Sequence, residues 1–257
     1  IMSEKSLNKN WQIATLIQSE LISVDVKKLV FKINPSTALG ASKAGQHYDI
    51  KLTAPNGYVA ERSYSVASPP EEKDEIEFGV QLLENGEVSP YLWQMKPATA
   101  DKPGDQVEVR GPIGGHFVWC HTMPGPLVLI GGGSGVVPLV SMIRHWRENL
   151  NLPDQENKLN KERKVILLAS FRSLEHVLYK TALEKLEQEN KNFKFTKILT
   201  NHEARIDQVK LKNVLSEVIE KMPMIYICGP TKFVEAMASN LVALGTNPHL
   251  IKTERFG

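Results

Sequence analysis

The stretch Leu127–Trp146, LVLIGGGSGVVPLVSMIRHW, restricts the fold of this chain more than any other. The apolar run Leu127–Ile130 reads as a short buried strand. Gly131, Gly132, Gly133 and Gly135 follow, broken only by Ser134. Val136, Val140, Ile143 and Trp146 then recur at helical spacing, which predicts a helix from about Pro138 to Trp146. Pro138 suits the first turn of that helix, where a missing N–H costs nothing. A strand, a glycine turn and a helix start together form an anion site. The first backbone N–H groups are unpaired, the helix dipole favours negative charge, and glycine lets a phosphate approach the backbone. The stretch is not a Walker loop, because Val136, Val137 and Pro138 follow Gly135. It also departs from Gly-x-Gly-x-x-Gly, whose last position here is Val136. Two readings stand at this point: a pyrophosphate site, or a tight turn at the edge of a sheet.

The remainder of the chain narrows the choice of architecture. Residues 11 to 120 read as strands: Trp11–Gln18, Val24–Ile33, His47–Leu52, Glu75–Leu83 and Val107–Arg110, the last ended by Gly111-Pro112. Tyr48, Ile50 and Leu52 share one face of theirs. Turn signals at Asn34-Pro35, Pro55-Asn56-Gly57 and Pro69-Pro70 separate these strands, and a short helix is expected near Tyr91–Met95. This spacing predicts an antiparallel β-barrel. After Pro124-Gly125-Pro126 strands and helices alternate. Strands are expected at Val165–Ala169, Phe193–Leu199 and Met224–Cys228. Helices are expected at Leu174–Glu189, with Leu178, Ala182 and Leu186 on one face, at Ile206–Lys221 and at Lys232–Leu244. Leu250–Phe256 reads as extended. Asn149–Lys164 is polar and charged and reads as a mobile surface loop. Repeated βα units predict a doubly wound parallel sheet, whose ligands bind at the carboxyl ends of the strands. Ser134, Ser170, Thr200 and Cys228 stand at such ends. The expected domains are residues 1–122, the barrel, and 123–257, the α/β unit.

With 257 residues, 42% of them hydrophobic, the chain is long enough for one large domain or two of ordinary size and can bury a proper core. A net charge of +2 points to neither nucleic acid nor an anionic membrane. Cys120 and Cys228 are its only cysteines, too few for a disulfide framework or for an iron–sulfur cluster, which takes about four thiolates. The first residues are polar, without an apolar signal core, and no apolar run is long enough to span a bilayer. A cytoplasmic protein is expected.

Several short motifs carry candidate chemistry. In Arg62-Ser63-Tyr64-Ser65, period-two alternation sets Arg62 and Tyr64 on one face and the two serines on the other. A guanidinium fork beside an aromatic ring fits a ligand with a pyrophosphate and a flat ring. An exposed Arg beside a half-buried Tyr is the plainer alternative. In Gly86-Glu87-Val88-Ser89-Pro90, Ser89 is expected to cap a short helix with Pro90 at its first position, either a second phosphate-binding helix start or a simple capped turn. Cys228-Gly229-Pro230 ends an apolar strand. Its thiol is a buried hydrophobe unless a base activates it, and no base declares itself. Neither a metal-ligand pattern around His116 and His121 nor a Ser–His–Asp set is evident.

Six motifs, Arg62–Ser65, Gly86–Ser89, Gly111–Gly114, Gly131–Pro138, Cys228–Pro230 and Glu254–Phe256, stand in the order seen in the ferredoxin–NADP reductase superfamily. The chain resembles its bacterial FAD-binding oxidoreductases that lack a fused iron–sulfur domain, over nearly its whole length. The resemblance implies that Arg62, Ser63, Tyr64 and Ser65, with Gly86, Val88 and Ser89, hold FAD. It implies that Gly133, Ser134, Gly135, Ser170, Arg172, Cys228 and Gly229 receive NADH or NADPH. Ser65, Cys228, Glu254 and Phe256 would stand at the reacting rings, with Phe256 also covering the flavin face. NADPH-preferring relatives often carry Ser-Arg after the third strand of the second domain. Thr200-Asn201 occupies that place here, which tilts the expectation to NADH. Glu175 is a candidate for the ribose hydroxyls only by its position in the sequence. Electrons would pass to a separate acceptor: a ferredoxin, a haem protein, an oxygenase or another metallo-oxidoreductase. The alternatives are a non-catalytic electron-transfer subunit of a larger complex and a reductase of ferric siderophores.

Overall fold

In the computed structural model, which describes residues 11–35, 41–151, 154–203 and 205–256, the chain divides between Val118 and Trp119 into two units. The polar stretch at the N-terminus, expected to carry no signal core, lies outside the described residues.

The first unit pairs six antiparallel strands: β1 (Gln12–Ser23), β2 (Val26–Lys32), β3 (His47–Thr53), β4 (Val59–Ser65), β5 (Glu75–Gln81) and β6 (Gln106–Ile113). Their order is β4-β3-β6-β1-β2-β5. Just past β4, Val66 bridges Phe78 of β5 and Ala67 N–H donates to Glu77 O at 2.8 Å, so the two edges meet and the sheet closes on itself as the expected barrel. Phe31, Tyr48, Ile50, Phe78 and Val109 fill the inside. Each such side chain contributes roughly 1.5–3 kcal/mol by leaving water. The alternation seen in the sequence is the one used: Tyr48 and Ile50 are buried and Leu52 packs against the same cluster. A short helix, α1 (Ser89–Gln94), lies against β5, where Trp93 Nε1 donates to Val80 O at 2.9 Å.

Two strands of this unit run well past their expected ends. β1 continues past Gln18 to Ser23, with register shifts at Leu16/Gln18 and Leu21/Ser23. Such irregularities break strict alternation, the signal on which the shorter expectation rested. β6 continues through Gly111-Pro112 rather than ending there. A side chain at Gly111 would come within 2.5 Å of the Tyr48 ring, so this glycine lets the strand pass over a core aromatic.

The second unit is a five-stranded parallel sheet of β7 (Leu127–Gly132), β8 (Val165–Phe171), β9 (Phe193–Leu199), β10 (Met224–Pro230) and β11 (Ile251–Phe256), in the order β11-β10-β7-β8-β9. Between them run α2 (Val136–Glu148), α3 (Asp154–Glu162), α4 (Lys180–Glu189), α5 (Gln208–Leu215) and α6 (Thr231–Ala243). Val128, Ile130, Ile225 and Ile227 pack with Leu211 and Leu215 of α5 and Val234 and Met237 of α6. The alternate residues Leu127, Leu129 and Tyr226 are equally buried, and Gly131 in their phase lies against Val136 and Leu139 of α2. Both faces are therefore covered, as an all-parallel sheet requires. The chain winds outward from β7 through β8 to β9 and then crosses back to β10 on the other side of β7. The switch point lies between β7 and β10.

Three expectations are corrected here. The polar excursion contains α3. Its end is anchored by Asn160, which is buried and accepts from Trp146 Nε1 at 3.2 Å through its carbonyl, and by Arg163, which is 3% exposed. Polar anchors of this kind leave no apolar period to read. The helix expected from Leu174 begins only at Lys180, because Val177 and Leu178, adjacent in sequence, are both buried in non-helical backbone and Tyr179 sits at φ 53°. Its buried face holds Leu183 and Leu186, while Ala182 is exposed. The helix expected over Ile206–Lys221 starts at the Asp207 cap, which accepts from Lys210 N–H at 2.8 Å. It stops at Leu215, leaving a single 3-10 turn at Ile219–Lys221. Among the described residues no helix is long and apolar enough to cross a membrane.

Candidate dinucleotide-binding sites

In the first unit, β4 places Ala60, Arg62 and Tyr64 in one phase. Ala60 is buried and Tyr64 packs on Phe78, with ring centroids 6.2 Å apart. Burial pushes the Tyr64 phenol up to about 12, so it remains a neutral donor. Arg62 is half-exposed and its guanidinium meets Glu87 Oε2 at 2.7 Å. Tyr58 donates to the other oxygen of Glu87 at 2.5 Å. The structure thus brings Arg62 to the Gly86–Ser89 turn. An exposed pair of this kind is weak beside a hydrogen bond to a charged phosphate, so a pyrophosphate can take the guanidinium over.

Ser63 faces the other way, donating to Asp49 Oδ1 at 2.6 Å; Asp49 also binds Arg110 at 2.6 Å. Burial raises the Asp49 carboxyl, but the Ser63 hydroxyl and the Arg110 guanidinium outweigh it and hold the group below its ordinary range. Ser65 ends β4 opposite His47, whose imidazole is lowered by burial against the opposing pull of Asp49. Ser89 is not the cap that the sequence suggested. Val88 occupies that place, and the buried Ser89 Oγ accepts from Leu83 N–H at 3.0 Å, bracing the turn from inside. Val88 offers no side-chain acceptor, so the first N–H groups of α1 receive none from the cap. On the same unit a cavity of about 280 Å³ is lined by Tyr48, Val66, Ser68 and Pro69, beside the end of β4.

In the second unit, Gly133–Gly135 form a 3-10 turn leading from β7 into α2, at the switch point. Gly133 sits at φ 55° with nothing within 4 Å of where a side chain would be, so its backbone faces open space. Gly135 is buried, and a side chain there would lie 2.2 Å from Cys228 O, so the turn rests directly on the end of β10. Ser134 is half-buried between them. No side chain caps α2, and its first N–H groups stand beside this turn. Ser170 pairs with Gly132 at the end of β8, and Arg172 follows it, exposed. Thr200 and Asn201 fold back on that strand end, through Thr200 N–H to Phe171 O and Asn201 N–H to Arg172 O, both at 2.9 Å. Glu175 accepts from Ser173 Oγ at 3.2 Å.

Cys228 is 1% exposed. Burial, reinforced by the Glu254 carboxylate, pushes its thiol well above the ordinary value, the opposite of an activated nucleophile. Glu254 stands opposite Cys228 and Phe256 opposite Pro230 across β10 and β11, with Phe256 exposed. The structure gathers Gly133, Ser134, Gly135, Ser170, Arg172, Cys228, Gly229, Glu254 and Phe256 at one edge of the sheet. It gathers Arg62, Tyr64, Ser65, Gly86, Val88 and Ser89 on the first unit. Sequence reasoning gave Glu87 no role; its link to Arg62 spans 25 positions and no local pattern signals it.

A barrel with an Arg-bearing strand beside a glycine turn, and a parallel sheet with a glycine turn at its switch point, form a two-domain architecture with a candidate anion site on each unit. Residues 13–119 match the model of the oxidoreductase FAD-binding domain and residues 129–239 that of the oxidoreductase NAD-binding domain. Together the two models cover most of the chain, which belongs to the oxidoreductases built from this FAD-binding domain followed by this NAD-binding domain. It is 29% identical over 217 residues to a subunit of the Na(+)-translocating NADH-quinone reductase of Marinomonas sp. (strain MWYL1), covering 76% of this chain and 48% of that one. It is 30% identical to the same subunit of the Pseudoalteromonas atlantica reductase over 215 residues, with the same coverage. The chain therefore spans about half the length of these curated relatives. Among solved structures, the FAD/NAD-binding domain of Vibrio cholerae nitric oxide dioxygenase superposes with a TM-score of 0.76 at 21% identity, over 97% of this chain and all of that one. Malassezia yamatoensis flavohemoglobin, solved with bound FAD and heme, gives 0.76 at 25% identity over 98% of this chain and 61% of that one.

Proposed function

We propose that the chain carries electrons from NADH, through FAD, to a separate redox partner. The observation that carries this reading is the glycine turn at the switch point resting on a buried, neutral Cys228: a place to seat a nucleotide, with no activated nucleophile beside it. Chemistry at such a site belongs to the cofactors. FAD, held on the first unit, would accept hydride from the reduced nicotinamide and release electrons onward.

The chain's own residues do the positioning. Arg62 binds the FAD pyrophosphate after leaving Glu87, and the Gly86–Ser89 turn and the start of α1 offer backbone donors. Tyr64 and Ser65 line the flavin as ring and hydroxyl. Gly133, Ser134 and Gly135 receive the nicotinamide dinucleotide's phosphates, with Ser170, Arg172 and Gly229 around them. Cys228, Glu254 and Phe256, neighbours across β10 and β11, would stand at the nicotinamide end of this site. Ser63 contributes through its backbone, since Asp49 holds its hydroxyl. NADH is favoured over NADPH because Thr200-Asn201 supplies no cation for a 2′-phosphate and is folded back on the end of β8.

The test is anaerobic reduction of the FAD-loaded chain, followed by steady turnover with ferricyanide. NADH should bleach the flavin faster than NADPH and sustain ferricyanide reduction; a loaded flavin that neither nucleotide reduces rules the reading out. A second reading has a specific observation behind it. The curated relatives are subunits of an NADH-quinone reductase, and this chain matches about half of each. An electron-transfer subunit working within a complex would co-purify with a partner and turn over slowly alone. A cytoplasmic setting fits both readings. Reduction of ferric chelates in preference to protein acceptors would instead mark a siderophore reductase.

A further inference from the structure

His145 stands in the last turn of α2, about 15 Å along that helix from the glycine turn at its start. There it meets two residues from the segment that leads into the second unit. His121 Nδ1 lies 3.4 Å from His145 Nε2, and Cys120 Sγ lies 3.9 Å from His121 Nδ1. All three donor atoms fall within 4.8 Å of one another. A tetrahedral zinc ion, with Zn–N of about 2.0–2.1 Å and Zn–S of about 2.3 Å, sets two nitrogens about 3.4 Å apart and a sulfur and a nitrogen about 3.6 Å apart. The two separations at His121 are thus near those of a zinc ion, and the third, between Cys120 Sγ and His145 Nε2, lies within 4.8 Å and closes as the ion binds. His145 is buried, while Cys120 and His121 are half-buried, so an ion has a way in.

The surroundings hold these groups in place. Thr122 Oγ1 donates toward Cys120 Sγ at 3.4 Å. Asn149 Nδ2 donates to His145 O at 2.7 Å and lies 3.2 Å from His145 Nδ1, while His121 N–H donates to His145 Nε2 at 3.4 Å, a contact that a bound ion would replace. Trp119 meets the His145 ring edge-on, with centroids 5.5 Å apart. The Arg163 guanidinium binds His121 O at 2.9 Å and Met123 O at 2.5 Å and also reaches Gly125 O, fixing the loop that carries two of the donors. The Arg163 and Thr122 contacts fix the loop and the sulfur; ligation through His145 Nε2 puts the ring proton on Nδ1, so the Asn149 amide must turn away from it.

The geometry points to a zinc site formed by Cys120 Sγ, His121 Nδ1 and His145 Nε2, with the fourth position left to water. Binding releases the Cys120 thiol proton, and each imidazole ligates as the neutral ring through the nitrogen named. The site ties the entry segment of the second unit to the end of α2, at the far end of that helix from the nucleotide turn. Three protein donors and an open fourth position differ from the closed four-ligand pattern of a structural zinc site. The sequence offered no metal pattern because His145 lies 24 positions beyond His121, on another element.

The test uses the flavin-loaded full chain, stripped with a chelator and dialysed against Zn2+. A single zinc per chain is expected. Cys120→Ser and His121→Ala should each weaken binding by about 100-fold or more, beyond the range seen when only an outer contact is lost. Zinc should raise the Tm of the wild type and leave that of both variants unchanged. With Co2+, the difference spectrum should show a thiolate-to-cobalt charge-transfer band in the wild type that Cys120→Ser lacks. Without zinc, both variants should keep the wild-type flavin spectrum and NADH reduction. Failure to bind stoichiometric zinc, equal binding by both variants, or a cobalt spectrum without the sulfur band would each overturn the assignment.

Discussion

At the residue scale, the pair Arg62–Glu87 offers the sharpest distinction between a structural and a cofactor role. If the guanidinium serves FAD, Arg62→Ala should weaken FAD retention by about 10–100-fold, the equivalent of one hydrogen bond to a charged group. Glu87→Gln should keep FAD or bind it more tightly, because it frees the cation. Flavin fluorescence after ultrafiltration measures both, and an equal loss in the two variants would make the pair a surface brace. Asp49 gives a second prediction. Its carboxyl is held low in the folded state by Ser63 and Arg110 against the cost of burial. Its contribution is therefore complete above the ordinary carboxylate pKa and is lost as the pH falls through the depressed one. Asp49→Asn should cost about 1–3 kcal/mol at neutral pH and flatten the acid limb of stability, as read by urea unfolding across a pH series. A parallel downward shift at every pH would remove the carboxylate from the account. Arg62 and Tyr64 were legible because strand alternation sets both on one face. Glu87 was not, because an ion pair between a strand and a distant turn leaves no periodic trace.

At the element scale, the β7–turn–α2 unit was the most legible part of the chain. An apolar run, consecutive glycines and a helical apolar period all sit within one short stretch, and each element forms where its own pattern ends. Elements held by tertiary contacts were less legible. α3 is anchored by buried Asn160 and Arg163, and α4 starts late because Val177 and Leu178 are both drawn into the core. The glycine turn separates two effects that a single substitution would confuse. Gly133→Ala adds a methyl into open space but imposes a left-handed φ, a strain of about 1–2 kcal/mol. Gly135→Ala drives a methyl into the Cys228 carbonyl, where the backbone must move and overpacking costs about 1–3 kcal/mol. Both should raise the Kd for NADH. Gly135→Ala should also displace the end of β10, visible as faster amide exchange at Cys228 and Gly229, whereas Gly133→Ala should leave that exchange unchanged. Unchanged NADH affinity in both variants would take the turn out of nucleotide binding.

At the scale of the whole molecule, the order of its motifs told more than any one of them. A barrel followed by a parallel sheet was readable from strand spacing and βα alternation, because both patterns repeat over many residues. The two candidate sites are built on separate units, each with its own core, and among the described residues Arg62 and Gly133 share no hydrogen-bond or ion-pair partner. Substitutions without shared partners add to within about 0.3–0.5 kcal/mol. The double variant Arg62→Ala/Gly133→Ala should therefore lose FAD as Arg62→Ala does and, once saturated with FAD, bind NADH as Gly133→Ala does. Titration calorimetry with the oxidised protein and a non-reducing nicotinamide analogue measures the second quantity without turnover. A coupling well above that margin would mean that the protein links its two sites through its own packing, and nucleotide affinity would then respond to flavin occupancy; additivity means that any communication between the sites is carried by the cofactors themselves.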